Sequence, residues 1–361
     1  MRLVIKIGTN LLTSADGTLD KNRIKKFVTE IARLKKEGHG VVLVTSGAIG
    51  AGMGKMKVAT RPDSLREKQA LAAIGQPILM NAYQQYFDAL GVILAQVLLT
   101  RQDFDDRSRY LNARNTMLAL LDMGAVPVIN ENDTVAVDEI NFGDNDTLAA
   151  IVAAKISADL LFLLTDVDGL FKGMPGESEL IEKVEKITKD IEQYAGGAAS
   201  GSKGTGGMKT KIAAAKIAVA SGVKMIIMNG RAPESIAKAL EGESVGTLFL
   251  PGKALEPRKC WIAFGTKCKG SITVDAGAAA ALVKNDKSLL ATGIVSAEGK
   301  FAVGDPVSIY APDGTEIARG LSYFSAEDIK KIKGKKSPDI RQLLPEADFD
   351  EVVHKDNLVI L

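Results

Sequence analysis

The sequence contains very little histidine or cysteine, and these two shortages exclude several kinds of chemistry. Its 361 residues include only His39 and His354, and only Cys260 and Cys268. His39 lies in a Gly-His-Gly turn and His354 far along the chain, so Ser-His and Cys-His nucleophile mechanisms are disfavoured. The cysteines form no CxxC pair, which excludes a disulfide framework and a cysteine zinc site and is typical of a reducing compartment.

The sequence also lacks a strong net charge and a long apolar run. Its 46 Lys and Arg residues nearly balance 44 Asp and Glu residues, and the net charge of +2 is not the footprint of a nucleic-acid-binding protein. No apolar segment is long enough to span a membrane, and no signal peptide precedes the first strand-like run. We therefore expect a cytoplasmic globular protein, and its length suggests two domains.

Glycine, in contrast, is plentiful, and it is densest in residues 201–211. Without a Cβ atom, such a stretch lets backbone N–H groups approach an anion closely. The residues that follow, 212–220, predict a helix, and a glycine loop that opens a helix is suited to phosphate. Lys203, Lys209 and Lys211 lie in the stretch. Its spacing fits neither the P-loop nor the dinucleotide fingerprint, and a flexible surface loop is the alternative interpretation.

Strand and helix patterns alternate through the first 250 residues. Apolar runs predict strands at 2–7, 41–45, 92–99, 126–129, 160–164 and 223–228. Helical periodicity predicts helices at 20–36, 66–90, 108–123, 147–156 and 212–220. We expect a break in the second helix around Gly75 and Pro77, and a glycine-rich turn over 46–54. The alternation predicts an α/β fold, a mostly parallel sheet sandwiched by helices.

Polar or glycine-rich turns follow several of these strands. They contain Gly8 and Thr9, Ser46 and Gly47, residues 130–133, and Thr165 and Asp166. Ligands of such sheets bind beyond the carboxyl ends of the strands, so we expect one site at this edge. Lys6 interrupts the first apolar run and is either a surface residue or a charge placed at the end of the sheet.

The pattern changes after residue 250. Residues 251–269 predict a linker, and the short apolar segments and frequent turns of 270–361 predict a small, mainly β domain. We expect helices within it at 276–284 and 326–332. The basic run 330–336 is most simply a solvated face, and an RNA or other anion contact is the alternative.

Three groups of residues converge on the predicted edge of the sheet. They are the glycines Gly8, Gly47, Gly50, Gly206 and Gly207 as N–H donors, the lysines Lys6 and Lys211, and the acidic and amide residues Asp133, Asp144, Asn145 and Asp146. This set suits phosphoryl transfer, which needs positioning and charge neutralisation. A carboxylate acceptor is already ionised at neutral pH and needs no general base. Capping of the helix at 147–156 explains one of the residues 144–146 but not all three.

A series of short stretches, in order, resembles the amino-acid kinase family. They are residues 4–9, 44–49, 68–70, 99–101, 111–114, 130–133, 143–146, 164–166 and 204–211. The resemblance covers residues 1–250 as the catalytic domain. It implies the branch of the family that uses ATP and Mg²⁺ to phosphorylate the γ-carboxylate of L-glutamate in proline biosynthesis. Residues 270–361 resemble a PUA domain, a pseudo-barrel best known from RNA-modifying enzymes.

The resemblance also implies roles for individual residues. Lys6 and Lys211 would stabilise the γ-phosphoryl group, and Asp146 would hold both lysines. The implied glutamate-binding residues are Ser46, Gly47, Asp133, Asp144 and Asn145. The implied ATP-binding residues are Lys6, Gly8, Thr165, Asp166, Thr205, Gly206, Gly207, Met208, Lys209, Thr210 and Lys211. No side chain is assigned to the metal, and a homo-oligomer and inhibition by L-proline are further implications.

Two interpretations from other classes compete with a kinase. The first is an RNA-binding or RNA-modifying protein, which the near-neutral charge and the lack of aromatic residues near the lysine run disfavour. The second is an amino-acid sensor without catalysis, which the presence of both lysines and the aspartates disfavours.

Overall fold

The computed structural model describes residues 1–14, 18–136, 145–173, 178–197, 207–252, 254–285, 287–346 and 349–361. The chain divides into two units, Met1–Ala254 and Leu255–Leu361. Each unit has its own hydrophobic core. Within the described ranges, none of the helices is both long and apolar enough to cross a membrane.

The described residues of the first unit form an eight-stranded sheet. Its strands are β1 Arg2–Ile7, β2 Gly40–Val44, β3 Leu94–Leu99, β4 Val126–Glu131, β5 Leu160–Thr165, β6 Lys183–Val184, β7 Lys224–Asn229 and β8 Thr247–Phe249. Their order in space is β3-β4-β2-β1-β5-β7-β8-β6. Every pair from β3 to β7 is parallel, whereas β8 runs antiparallel to β7. The prediction of a mostly parallel sheet is confirmed.

The helices of this unit bury apolar residues against the sheet or against one another. They are α1 Thr9–Leu12, α2 Lys21–Lys36, α3 Ala48–Met56, α4 Leu65–Asp88, α5 Gln102–Asp105, α6 Arg107–Asp122, α7 Asn145–Lys155, α8 Lys189–Gly197, α9 Met208–Ala220 and α10 Ser235–Leu240. In α2, for example, Ile24, Phe27 and Ile31 are buried at helical spacing, and Asp20 caps the first turn by accepting from the N–H of Arg23.

The glycine-rich turn predicted over 46–54 is wrong, because α3 spans Ala48–Met56. Glycine is a poor helix former, so local propensity favours a turn. Packing decides otherwise, since a Cβ atom on Gly52 would lie 2.0 Å from the carbonyl oxygen of Leu71 in α4. The glycines therefore serve a close crossing of two helices. Gly47 precedes α3 with φ of 100°, a left-handed conformation that favours glycine.

The predicted break in the second helix is also wrong, because α4 runs without interruption over Leu65–Asp88. Pro77 removes one helical N–H donor, which ordinarily ends or kinks a helix. Gly75 explains why the helix continues, since its backbone lies directly against α3. A Cβ atom there would be 1.8 Å from the carbonyl oxygen of Ala48 and 2.4 Å from the nitrogen of Gly52. Contact between α3 and α4 thus outweighs the local signal.

The described residues of the second unit form two small sheets and four α-helices. Strands β9 Gly270–Val274, β11 Ile294–Gly299, β12 Pro306–Tyr310, β13 Glu316–Leu321 and β15 Leu358–Ile360 form a sheet in the order β11-β9-β12-β13-β15. Strands β10 Leu289–Leu290 and β14 Glu351–Val353 form a pair. The helices are α11 Pro257–Cys260, α12 Ala276–Asn285, α13 Ala326–Ile332 and α14 Ser337–Leu343.

Part of the stretch that we interpreted as a linker is helical. Helix α11 continues into a π-helical turn at Trp261–Gly265. Ile262 and Ala263 of this turn are buried against Leu321 and Val359 of the second unit. Residues 257–265 therefore pack as part of that unit. Helix α14 and strand β14 were not predicted, because segments this short carry little hydrophobic periodicity.

We predict that Gly75→Ala destabilises the first unit by about 3 kcal/mol, because the new methyl group meets backbone atoms that cannot rotate away. The measurement is the midpoint of urea unfolding. Gly252→Ala is the matched control, since no atom lies within 4 Å of the position that its Cβ would take. Equal midpoints for the two variants would contradict the close crossing of α3 and α4.

Candidate active site

Lys6 is a charged residue at the end of the central strand of the sheet. Strand β1 pairs with β2 on one side and β5 on the other, and its side chains alternate between the two faces. Leu3, Ile5 and Ile7 enter the core cluster on one face, so Lys6 points to the opposite face. Its residue exposure is 7%. Of the two interpretations of Lys6, the structure therefore shows a charge placed at the end of the sheet.

One carboxylate joins Lys6 to the second lysine. The Lys6 Nζ lies 2.5 Å from Asp146 Oδ1, and the Lys211 Nζ lies 3.1 Å from Asp146 Oδ2. Asp146 stands in the first turn of α7, and Lys211 in the first turns of α9, a neighbouring helix. Asp146 is fully buried, and Lys211 is 6% exposed. We call these three residues the lysine–aspartate triad.

The triad keeps Asp146 ionised. Burial by itself raises the pKa of this carboxyl, but the charges and hydrogen bonds of Lys6 and Lys211 more than offset burial and hold the pKa well below its usual range. The first turn of α7 adds to this effect, because a helix N-terminus stabilises negative charge. Two ammonium groups and one carboxylate leave a net charge of +1, which favours an anionic ligand nearby.

An amide cluster lies beside the triad. Asn145, the residue before Asp146, donates from Nδ2 toward the carbonyl oxygen of Thr45 at 2.8 Å, Ser46 Oγ at 2.7 Å and Asn130 Oδ1 at 3.1 Å. These acceptors belong to the ends of β2 and β4. The Asn145 Oδ1 atom is buried without a hydrogen-bond partner among the described residues. The cluster therefore offers an unused acceptor.

Asp133 lies in the turn that follows β4. Burial raises the pKa of its carboxyl to about 6, and the positive charge of Arg61 works in the opposite direction. A carboxyl with a raised pKa is one whose charged form lacks full compensation. A cationic group bound beside Asp133 would supply that compensation.

The end of β5 contributes a second acidic turn. Asp166 accepts from Asn10 Nδ2 at 3.0 Å and from Thr165 Oγ1 at 3.1 Å. Burial raises the pKa of Asp166, but these hydrogen bonds, a backbone hydrogen bond and the charge of Lys211 together outweigh burial and lower it overall. Asn10 belongs to α1, which follows β1, so this hydrogen bond joins the segments that follow β1 and β5.

The expectation that Gly8 donates its N–H to an anion is wrong. Its N–H donates to the carbonyl oxygen of Leu164 at 3.2 Å, because the pairing of β1 with β5 continues one residue past the strand. Gly8 also lies beside the Lys6 ammonium group. A Cβ atom there would lie 3.7 Å from the Lys6 Nζ.

The start of α9 places several predicted residues near the triad. Gly207 caps the helix, and Thr210 Oγ1 lies 3.2 Å from Asp146 Oδ2 and 2.7 Å from the Gly207 carbonyl oxygen. Lys209 is exposed, and Met208 is half-buried. Gly50 lies in the first turn of α3, and the N–H groups of a first turn have no acceptor within the helix. Asp144, Thr205 and Gly206, with the rest of 201–206, lie outside the described residues.

The sequence analysis missed several polar residues that the site uses. Asn10, Thr45, Gln76 and Asn130 all make side-chain or backbone contacts to site residues. Asn130 belonged to a quoted stretch but received no role. Its position in the sequence could have identified it, because a buried amide near the end of an apolar strand requires a hydrogen-bond partner.

The described side chains of the site do not fit a resident metal. Each oxygen of Asp146 contacts a lysine ammonium group, so this carboxylate is not available to bind a metal ion. Within the described ranges, no group of three or more His, Cys, Asp or Glu side chains could hold a metal ion.

The fold and this site define the class of protein: the chain belongs to the amino acid kinase family, whose profile matches residues 1–229. Residues 270–344 match the PUA domain profile. Among solved structures, carbamate kinase from Giardia lamblia bound to AMP-PNP has a TM-score of 0.52 at 19% identity, covering 70% of this chain and 98% of its own. At that identity the similarity supports the fold.

Within the family, several relatives carry one name over the whole length of the chain. Glutamate 5-kinase of Caldanaerobacter subterraneus subsp. tengcongensis is 53% identical over 365 residues, covering 100% of this chain and 98% of its own. Glutamate 5-kinase of Moorella thermoacetica is 50% identical over 364 residues, covering 100% and 96%. Glutamate 5-kinase of Geobacter sulfurreducens is 47% identical over 364 residues, covering 100% and 97%.

We predict that Asp146→Asn destabilises the first unit by about 3 kcal/mol, because it leaves two buried ammonium groups without a counter-charge. The measurement is the urea midpoint at pH 7. Glu179→Gln is the matched control, because it removes an exposed ion pair with Lys172 and should change the midpoint little. Similar shifts for both variants would show that the triad is not a buried ion pair.

Proposed function

We propose that this chain transfers the γ-phosphoryl group of ATP to the γ-carboxylate of L-glutamate, forming L-glutamyl 5-phosphate and ADP in the first step of proline biosynthesis. The lysine–aspartate triad at the carboxyl end of the sheet carries the proposal. The full-length similarity to proteins named glutamate 5-kinase supports the choice of substrate.

The proposed reaction is a direct displacement at phosphorus. A γ-carboxylate oxygen forms the new bond to the γ-phosphorus, and the bond to the β,γ-bridging oxygen breaks, with its electron pair leaving on ADP. No proton is transferred, because the acceptor is ionised at neutral pH. The protein's task is therefore to neutralise charge and to position the reactants.

We assign that task to Lys6 and Lys211. Their ammonium groups share one carboxylate, so they lie close together and can contact oxygens of the same phosphoryl group. Asp146 fixes both side chains, and Gly8 has no Cβ atom, which would otherwise lie 3.7 Å from the Lys6 Nζ. Thr210 and the rest of residues 205–211, together with Thr165 and Asp166, form the proposed ATP side of the site.

Mg²⁺ enters the proposed reaction with the nucleotide, as MgATP. The described side chains do not form a site for a resident metal, so we treat the ion as part of the substrate. When bound, it would neutralise charge on the phosphates.

The amide cluster and Asp133 form the proposed glutamate side. The α-ammonium group of glutamate needs acceptors, and the unpartnered Asn145 Oδ1 is one that the folded protein leaves unused. Asp133 would supply the opposite charge, and its raised pKa is consistent with a carboxylate that awaits a cation. Ser46, Gly47 and Asp144 complete the proposed set.

A cytoplasmic location, a homo-oligomer and feedback inhibition by L-proline stay predictions. No observation favours RNA binding by the second unit. Of the basic run 330–336, Lys331 pairs with Asp328 within α13.

The first prediction for the proposed function concerns the reaction itself. L-Glutamate, ATP and Mg²⁺ should yield ADP and an acyl phosphate that hydroxylamine traps as a hydroxamate. Lys211→Met should lower kcat by about 10²–10³, because the charge acts in the transition state. Lys216→Met is the matched control, since this lysine lies on the same helix but pairs with Glu192 at the surface. Turnover with another acceptor and none with glutamate would reassign the substrate.

The second prediction concerns pH. Glutamate binds the ionised form of Asp133, whose free pKa is about 6, so the KM for glutamate should rise as pH falls through that value. At pH 5 the ionised fraction is about one-tenth, and KM should rise about tenfold relative to pH 7.5. The KM for ATP should change little. Asp133→Asn should show a raised KM for glutamate at every pH. A constant glutamate KM in the unsubstituted protein would remove Asp133 from the ammonium site.

A further inference from the structure

Gln76 is a buried amide on α4 that no part of the proposed mechanism uses. Its exposure is 9%, and its Oε1 accepts from Asn130 Nδ2 at 2.8 Å. Asn130 is 2% exposed and in turn accepts from Asn145 Nδ2 through Oδ1 at 3.1 Å. Three amides therefore form one hydrogen-bonded chain that runs from α4 through β4 to the first residue of α7. We call it the amide chain.

The direction of every amide in this chain is fixed from one end. The carbonyl oxygen of Thr45 accepts hydrogen bonds only, so the Nδ2 of Asn145 must face it. That orientation leaves Asn145 Oδ1 free for a ligand. Asn130 must then present Oδ1 to Asn145 and Nδ2 to Gln76, and Gln76 must present Oε1. An acceptor at position 76 is thus the only choice that agrees with the rest of the chain.

Helix α4 supports the other end of the same arrangement. Tyr83 lies seven residues after Gln76, which is two helical turns, and it shares a 2.9 Å hydrogen bond with Thr45 Oγ1. Both side chains belong to the buried face of α4. One helix therefore contacts Asn130 and Thr45, two of the three residues that accept hydrogen bonds from the amide of Asn145.

Packing does not explain a glutamine at this position. Burying a polar group costs free energy unless its hydrogen bonds are made, and the Gln76 Nε2 has no partner among the described residues. A methionine of similar length would fill the same volume without that cost. The group that the structure uses is the Oε1 acceptor alone.

We propose that Gln76 is a positioning residue for the substrate amino acid, which acts through Asn130 to hold Asn145 with its Oδ1 facing the α-ammonium group. This inference rests on the proposed function of Asn145. It assigns to Gln76 no contact with substrate, ATP or the transferring phosphoryl group.

The test compares Gln76→Met with Gln76→Glu in the full-length protein at pH 7.5. Methionine removes the acceptor, whereas glutamate retains an oxygen that can accept from Asn130. Gln76→Met should raise the KM for glutamate about fivefold, the worth of one hydrogen bond, with kcat and the KM for ATP within twofold. Gln76→Glu should keep the KM for glutamate close to that of the unsubstituted protein. Gln76→Leu is measured in parallel, so that the result does not depend on the folding of one apolar variant.

A purely structural role predicts a different pattern. Loss of active protein lowers kcat and leaves both KM values unchanged. That pattern in Gln76→Met and Gln76→Leu, or equal KM values for the methionine and glutamate variants, would overturn the proposal.

A double-mutant cycle with Asn145→Ala separates this proposal from the proposed function. If Gln76 acts through Asn145, Gln76→Met should have no further effect on the KM for glutamate once Asn145 is alanine. Independent, additive effects would overturn the positioning role. If Asn145→Ala raises this KM and Gln76→Met does not, the positioning role alone fails. If Asn145→Ala leaves it unchanged, both assignments fail.

Discussion

The candidate site depends on one buried arrangement, in which a single carboxylate holds two ammonium groups at the end of the central strand. Lys6 comes from β1 and Lys211 from α9, and Asp146 at the start of α7 joins them. The surplus of one positive charge lies where water is largely excluded, so it acts on an anion more strongly than it would in bulk water. The central place of β1 in the sheet matters because it fixes the position of Lys6. Pairing with β2 and β5 on its two sides fixes the strand end that carries Lys6, and a rigid element positions a charged group better than a loop does.

The two sides of the site rest on different parts of the fold. The phosphoryl side rests on the sheet and on helices α7 and α9, which cover the face that carries Lys6. The amide side rests on α4, whose place is set by its close crossing with α3. Gly52 and Gly75 let the two backbones approach within distances that no Cβ atom would allow. The crossing brings the buried face of α4 to the ends of β2 and β4, where Gln76 reaches Asn130. Two glycines that the sequence shows only as turn formers thus help to shape a polar site.

The sequence predicts the features that depend on local pattern. Apolar runs identify the strands β1 to β5 and β7, and helical periodicity identifies α2, α6 and α9, because each signal lies within the element itself. The sequence does not predict α3 or the unbroken α4, because their geometry depends on contact between glycines that are distant in the chain. The sequence likewise suggests a ligand for the N–H of Gly8, because it does not show that this group donates to Leu164 of the neighbouring strand β5. The residue types of the triad are visible in the sequence, but the sharing of one carboxylate by both lysines is a property of the folded chain.

A site built in this way separates charge neutralisation from proton chemistry. A carboxylate acceptor needs no general base, and the scarcity of histidine is consistent with a reaction in which no proton moves. Asp146 agrees with this, since its lowered pKa keeps it ionised throughout the neutral range and the lysines keep their counter-charge. Asp133 is the opposite case, because burial raises its pKa to about 6. Sensitivity to pH near neutrality therefore belongs to the side of the site that we propose binds the amino acid. The proposed phosphoryl side keeps a constant charge on Asp146 under the same conditions.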